Sequence, residues 1–253
     1  MLDFKVLVIV CPMVFLAGFV DSVAGGGGLI SLPAYLFAGL PIHIAYGTNK
    51  LSGCCGTTMA VLKYGKSGYI NWRDALTAGI GAVVGSWCGA KFTVILSPDV
   101  LGRCMLIILP LVAIFLLFKR DFGKTEGDCK LSSGALPLAA VGIGLVIGAY
   151  DGFFGPGTGT FLVIAFTALL GQSLTTATGN AKVVNLCSNI AALVAYIPAG
   201  KVLWSVGIPA AICGMAGNYL GSKTAIKKGA AFIRPVILVS IGLLFVSIIN
   251  DYL

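Results

Sequence analysis

Four ionisable residues stand out because of where they fall. Asp21 and Asp151 are the only two of the nine acidic residues at the end of an apolar run, and each stands four residues before a glycine-rich break. A charge at membrane depth is costly and is a functional-site hypothesis by default. Such a carboxylate can take up a coupling proton, or it can brace the broken backbone. The second pair is Lys50, in Gly47-Thr48-Asn49-Lys50, and Lys182, in Gly179-Asn180-Ala181-Lys182-Val183-Val184-Asn185. A lysine ammonium is a compact point charge that can hold an oxyanion or snorkel to an interface. Thr48, Asn49, Ser52, Asn180 and Asn185 add neutral donors. Two lysines converging near a pseudo-twofold axis would make a cationic site. His43, the sole histidine, is expected in a loop, as a proton sensor by type or an incidental residue by position.

The glycine breaks are the second feature. Ala24-Gly25-Gly26-Gly27-Gly28-Leu29 and Gly155-Pro156-Gly157-Thr158-Gly159-Thr160 interrupt apolar sequence. Each glycine costs a helix about 1 kcal/mol relative to alanine, and Pro156 removes a further donor. Both stretches are expected to unwind the chain and then start a short helix. The new N-terminus presents unpaired N–H groups and partial positive charge, which suits an anion. Gly25, Gly26, Gly27, Gly28, Gly155, Gly157 and Thr158 therefore join Thr48, Asn49, Lys50, Asn180, Lys182 and Asn185 as candidate substrate-binding residues. Asp21 and Asp151 are the coupling candidates. No Gly-Lys-Ser/Thr follows either break, which excludes a nucleotide phosphate loop.

The elements that position these residues follow from composition. Of 253 residues 58% are hydrophobic and 10% charged, with mean hydropathy +0.99. A soluble globule of this length cannot hide so much apolar surface behind so few charges. A soluble enzyme, a disordered chain and a disulfide scaffold are excluded. A transmembrane barrel is disfavoured because its strands alternate apolar and polar residues. The expected class is an all-α polytopic membrane protein. Apolar runs lie near 4–20, 29–40, 51–64, 75–97 and 100–118, and again near 135–150, 160–170, 183–199, 204–222 and 232–250. Met1 to Phe19 reads as a retained first span. The runs at 29–40 and 160–170 are too short to cross alone, and half-helices are expected there.

The two sets of runs are related. At an offset of 132 residues, Ala45 matches Ala177, and Gly47, Lys50, Tyr64 and Trp72 match Gly179, Lys182, Tyr196 and Trp204. Upstream of the break the offset is 130, aligning Gly18, Asp21 and Gly25 with Gly148, Asp151 and Gly155. Two repeats are expected, residues 1–118 and 135–253, joined by a polar linker at 119–134. If all ten runs cross, the basic residues divide 12 to 5 between the sides. That bias puts the linker in the cytoplasm. Five crossings per repeat would invert one repeat relative to the other. The stripes Gly81-Gly85-Gly89 and Cys213-Gly217-Gly221 read as helix-contact faces.

Other chemistry is poorly supplied. The net charge of +8 is dispersed between apolar runs, so it reads as facing anionic lipid and not nucleic acid. Eight cysteines form no CxxC and read as small apolar residues. Neither a metal site nor a cofactor is expected. One histidine and scattered thiols supply little for an enzyme.

At the Gly-rich break within Gly18–Pro33, at Gly47-Thr48-Asn49-Lys50, and at their partners in Gly148–Thr160 and Gly179–Lys182, the sequence resembles the TauE/SafE family of sulfite exporters and sulfonate permeases. The resemblance covers essentially the whole chain. It implies a multi-pass protein of the cytoplasmic membrane that moves a small sulfur oxyanion or organosulfonate. The expected function is secondary transport by alternating access. An anion channel is the alternative, with a membrane-embedded enzyme behind it. The expected partners are a small anion and the lipid bilayer, without nucleic acid; a homo-oligomer is compatible with the sequence.

Overall fold

The computed structural model describes residues 4–104, 107–108, 135–229 and 231–233. The linker at 119–134 lies outside them, as do most of the runs at 100–118 and 232–250. Among the described residues every regular element is helical. We number them α1 (Phe4–Ala24), α2 (Gly28–Phe37), α3 (Ile42–Lys66), α4 (Trp72–Ile95), α5 (Leu136–Phe153), α6 (Thr158–Leu170), α7 (Leu174–Tyr196) and α8 (Trp204–Lys228).

Helices α1, α4 and α5 are long and apolar enough to cross a membrane. The polar helices α3, α7 and α8 have 25, 23 and 25 residues, which is ~35 Å or more at 1.5 Å per residue. Their lower hydropathy reflects an interior role, because α3 and α7 bury Thr48, Lys50, Asn180, Lys182 and Asn185. The outward faces are apolar. Leu76, Ile80, Phe92 and Ile95 on α4, Leu138 and Val146 on α5, and Ile208 and Ile212 on α8 are all more than half exposed. A continuous apolar exterior of this kind is covered by lipid. The exposed Trp72 and Trp204 open α4 and α8, where interfacial anchors are usual.

The glycine breaks behave as expected. Backbone φ reaches +78° at Gly25 and +94° and +83° at Gly155 and Gly157, conformations that glycine adopts without strain. The short helices that follow have 10 and 13 residues, or ~15–20 Å, well under the ~30 Å hydrocarbon core. His43 departs from expectation. It lies inside α3, is buried, and its Nε2 sits 3.1 and 3.0 Å from the carbonyl oxygens of Thr93 and Leu96. Pro41 is the N-cap residue of α3, so the helix begins at Ile42 and takes in His43.

Helix packing follows the small-residue stripes. A Cβ on Gly81, Gly85 or Gly89 would strike the backbone of α5 at Val141, Leu145 or Ala149. A Cβ on Gly217 or Gly221 would strike α1 at Phe15 or Phe19. In both pairs the residue numbers rise together, so α4 runs parallel to α5, and α8 parallel to α1. The contacts correspond under the sequence offsets: Gly85 and Gly217 differ by 132, and Leu145 and Phe15 by 130. The fourth helix of each half therefore packs on the first helix of the other.

Candidate functional site

The two breaks abut each other. A Cβ on Gly25 would collide with Gly159, and one on Gly159 with Gly25. The Thr160 hydroxyl donates to the Ala24 carbonyl at 2.8 Å, tying the start of α6 to the end of α1. The first residue of α2, Gly28, faces Pro156. No side chain caps the N-terminus of α2 or α6 among the described residues.

The ionisable pairs cross between the halves. Lys50 donates to Asp151 Oδ2 at 2.7 Å, with both side chains 4% exposed. Lys182 donates to Asp21 Oδ2 at 3.0 Å and also to the Asp21 main-chain carbonyl. Neither lysine snorkels to the surface, because the opposite half supplies each with a carboxylate. The two lysines thus form separate ion pairs instead of one shared cationic site. Asp151 Oδ2 accepts a second hydrogen bond, from the Ser188 hydroxyl.

Beside the breaks lies a cavity of about 70 Å³. A water needs roughly 10–15 Å³, so the space suits a small solute and not a large organic molecule. Of the sequence candidates, Asp21, Gly25, Gly27, Gly28, Asn49, Lys50, Asp151, Gly155, Thr158 and Asn185 line it. Gly26, Thr48, Gly157, Asn180 and Lys182 are not in its wall. Lys182 is fully buried behind Asp21. Thr48 and Asn180 do a different job. The Leu203 N–H donates to Thr48 Oγ1 at 3.0 Å, and the Asn71 N–H to Asn180 Oδ1 at 2.8 Å. Leu203 and Asn71 are the N-cap residues of α8 and α4, so these side chains anchor the fourth helix of the opposite half.

The wall also contains polar residues that sequence reasoning passed over, notably Ser31, Thr57, Asn189 and Asn218. Asn189 was within reach, because it lies one helical turn after Asn185 and donates to it at 3.2 Å. Asn218 carried no such signal. Its slot exists only because Gly18 and Gly56, from two other helices, leave room for its amide.

The arrangement is a polar cavity with paired charges and broken helices inside an apolar shell, which suits passage of a small polar solute. Comparison with known proteins agrees. The family model for "Sulfite exporter TauE/SafE" matches residues 10–248. The chain belongs to the TauE/SafE family. Among TauE/SafE relatives it is 36% identical to the probable membrane transporter protein ORF9 of Sinorhizobium sp, over 96% of this chain and 92% of that one. It is 34% identical to the probable membrane transporter protein YfcA of Escherichia coli K12, over 93% and 87%. A probable membrane transporter protein of Haemophilus influenzae is 32% identical, over 94% and 92%. No solved structure matches the chain. The protein is thus a membrane protein of a transporter family.

Proposed function

We propose that the chain is a secondary transporter of the cytoplasmic membrane that moves a small anion, a sulfur oxyanion or organosulfonate, by alternating access. The carrying observation is the cavity where the uncapped starts of α2 and α6 meet Lys50. Helix N-termini and an ammonium group together favour a negatively charged ligand. The family match supports the sulfur oxyanion, since its printed description names sulfite export. Residues 1–118 and 135–253 act as two inverted repeats on either side of a cytoplasmic linker at 119–134. The crossed contacts support this reading, because their numbers obey the repeat offsets. The Lys63 ammonium lies 4.7 Å from the Tyr219 ring centroid, so the end of α3 shares a side with the C-terminal part of α8. Since α4 starts where α3 ends, α4 and α8 then run in opposite senses.

In this mechanism the substrate enters beside Lys50, and the helices of one half rock against the other about the abutting breaks. Gly25 and Gly159 permit the backbones to touch there. The test is sulfite flux into proteoliposomes for wild type, Lys50→Ala, Lys182→Ala and the double variant. Lys50→Ala should lose most flux, because Lys50 lines the cavity whereas Lys182 acts through Asp21. Wild-type-like flux in the double variant would overturn the lysine role. Saturable flux with counter-flow separates a carrier from a channel.

A further inference from the structure

We propose that the carrier moves a monoanion together with one proton, without net charge movement, and that Asp21 takes the proton while Asp151 serves as the positioning partner of Lys50. This rests on the anion-transport reading above and adds the coupling ion, its stoichiometry and its residue.

The argument starts from charge. Among the described residues, the charged ones in the cavity wall are Asp21, Lys50 and Asp151, and Lys182 stands directly behind Asp21. Two carboxylates and two ammonium groups make the empty site neutral. An uncompensated charge in a low-dielectric interior is very costly. A monoanion entering alone would leave the site one negative charge in excess. One proton taken from water onto a carboxylate restores neutrality, and the lysine that loses its counter-ion then balances the anion. On the far side the O–H bond breaks, the proton and the anion pass to water, and the ion pair re-forms. The site is neutral both empty and loaded.

The two carboxylates are not equivalent. Asp151 Oδ2 accepts from two donors, the Lys50 ammonium and the Ser188 hydroxyl. Its side chain is 4% exposed. Asp21 is 14% exposed and, among the described residues, receives one side-chain donor, Lys182. At the 132-residue offset the counterpart of Ser188 is Gly56, which has no hydroxyl. A Cβ at Gly56 would fall 2.5 Å from the Asn218 amide nitrogen, so a serine there would have to push that amide aside. That amide is turned to the Gly214 carbonyl at 3.0 Å.

Lys182 keeps its bond to the Asp21 main-chain carbonyl when the carboxylate is protonated, so it stays in place. Several groups face Asp21. Lys182 comes from α7, and α3 brings Tyr64, whose hydroxyl donates to the neighbouring Ser22 carbonyl at 3.0 Å. Lys50 from α3 and Asp151 from α5 share the cavity, Gly27, the N-cap residue of α2, packs against the Asp21 side chain, and α8 lines the cavity with the uncharged Gly214 and Asn218.

The experiment uses the full chain in proteoliposomes, with sulfite and methanesulfonate as probes. Methanesulfonate keeps a single negative charge across the working pH range. An inward acid gradient should drive accumulation of at least one probe. A potassium–valinomycin potential of either sign should leave the rate unchanged. Asp21→Asn should lose acid-driven uptake by about 5–150-fold more than it loses anion-for-anion exchange, the usual range of a coupling free energy. Asp21→Glu should regain acid drive, and Asp151→Asn should raise KM while keeping the acid dependence. Potential-driven uptake in wild type overturns the proposal without any variant. So does acid drive that survives Asp21→Asn, or that disappears in Asp151→Asn alone. If wild type moves either probe without acid dependence, only this proposal fails. If it moves neither under any gradient, the anion reading fails with it.

Discussion

Breaking the Lys50–Asp151 pair gives the sharpest stability prediction. The ammonium and carboxylate are 2.7 Å apart, and both side chains are 4% exposed, so a survivor has little water around it beyond the small cavity. Removing one partner of a buried pair costs about 3–5 kcal/mol, because the other is left charged and unpaired. For Lys50→Met the survivor is Asp151, which keeps only the Ser188 hydroxyl. At roughly 2–4 °C per kcal/mol for a chain of this size, Tm should fall by about 6–20 °C. Asp151→Asn should cost a similar amount by stranding the ammonium. The double variant Lys50→Met/Asp151→Asn removes both charges, and replacing a buried pair by neutral groups is often close to free. Its Tm should therefore lie well above the sum of the two single losses. The assay is thermal unfolding of detergent-solubilised protein by intrinsic tryptophan fluorescence. Additivity of the two losses within about 0.5 kcal/mol would show that the residues do not interact, and would refute the reasoning.

Two further predictions separate packing and anchoring from ligand binding. Gly85→Ala and Gly217→Ala each drive a Cβ into a facing helix backbone and should each destabilise by about 1–3 kcal/mol, whereas Gly39→Ala, in open space at φ +86°, should show only its backbone strain of about 1–2 kcal/mol; scanning fluorimetry in detergent compares the three. Thr48→Val and Asn180→Ala release the starts of α8 and α4, so Thr48→Val should destabilise by the worth of one buried hydrogen bond, about 1–3 kcal/mol, and Asn180→Ala by more, because its amide also donates to Gln172 Oε1 at 2.8 Å; both should leave the KM for sulfite within a factor of about two to three, and a large KM change would put those side chains at the ligand.

Much was legible in the chain because membrane insertion and backbone conformation are local problems. Residues that must face lipid have to be apolar, so composition alone decided the class. Glycine runs cannot stay helical cheaply, so Gly25–Gly28 and Gly155–Gly159 marked the starts of α2 and α6. Charges that cannot reach water need partners, which singled out Asp21, Asp151, Lys50 and Lys182. Which carboxylate meets which lysine was not local. Lys50 and Asp151 are 101 residues apart, and they meet because each half donates a helix to the other. The same exchange took Thr48 and Asn180 away from the cavity, since their side chains reached helix N-caps first. It also brought in Asn218, whose slot needs glycines on two other helices. Sequence thus determined which residues must be buried, paired or bent, from solvation and backbone strain. Tertiary structure alone decided the partners and the inequality of Asp21 and Asp151, because a hydrogen bond extends only about 3 Å and depends on where distant helices finally pack.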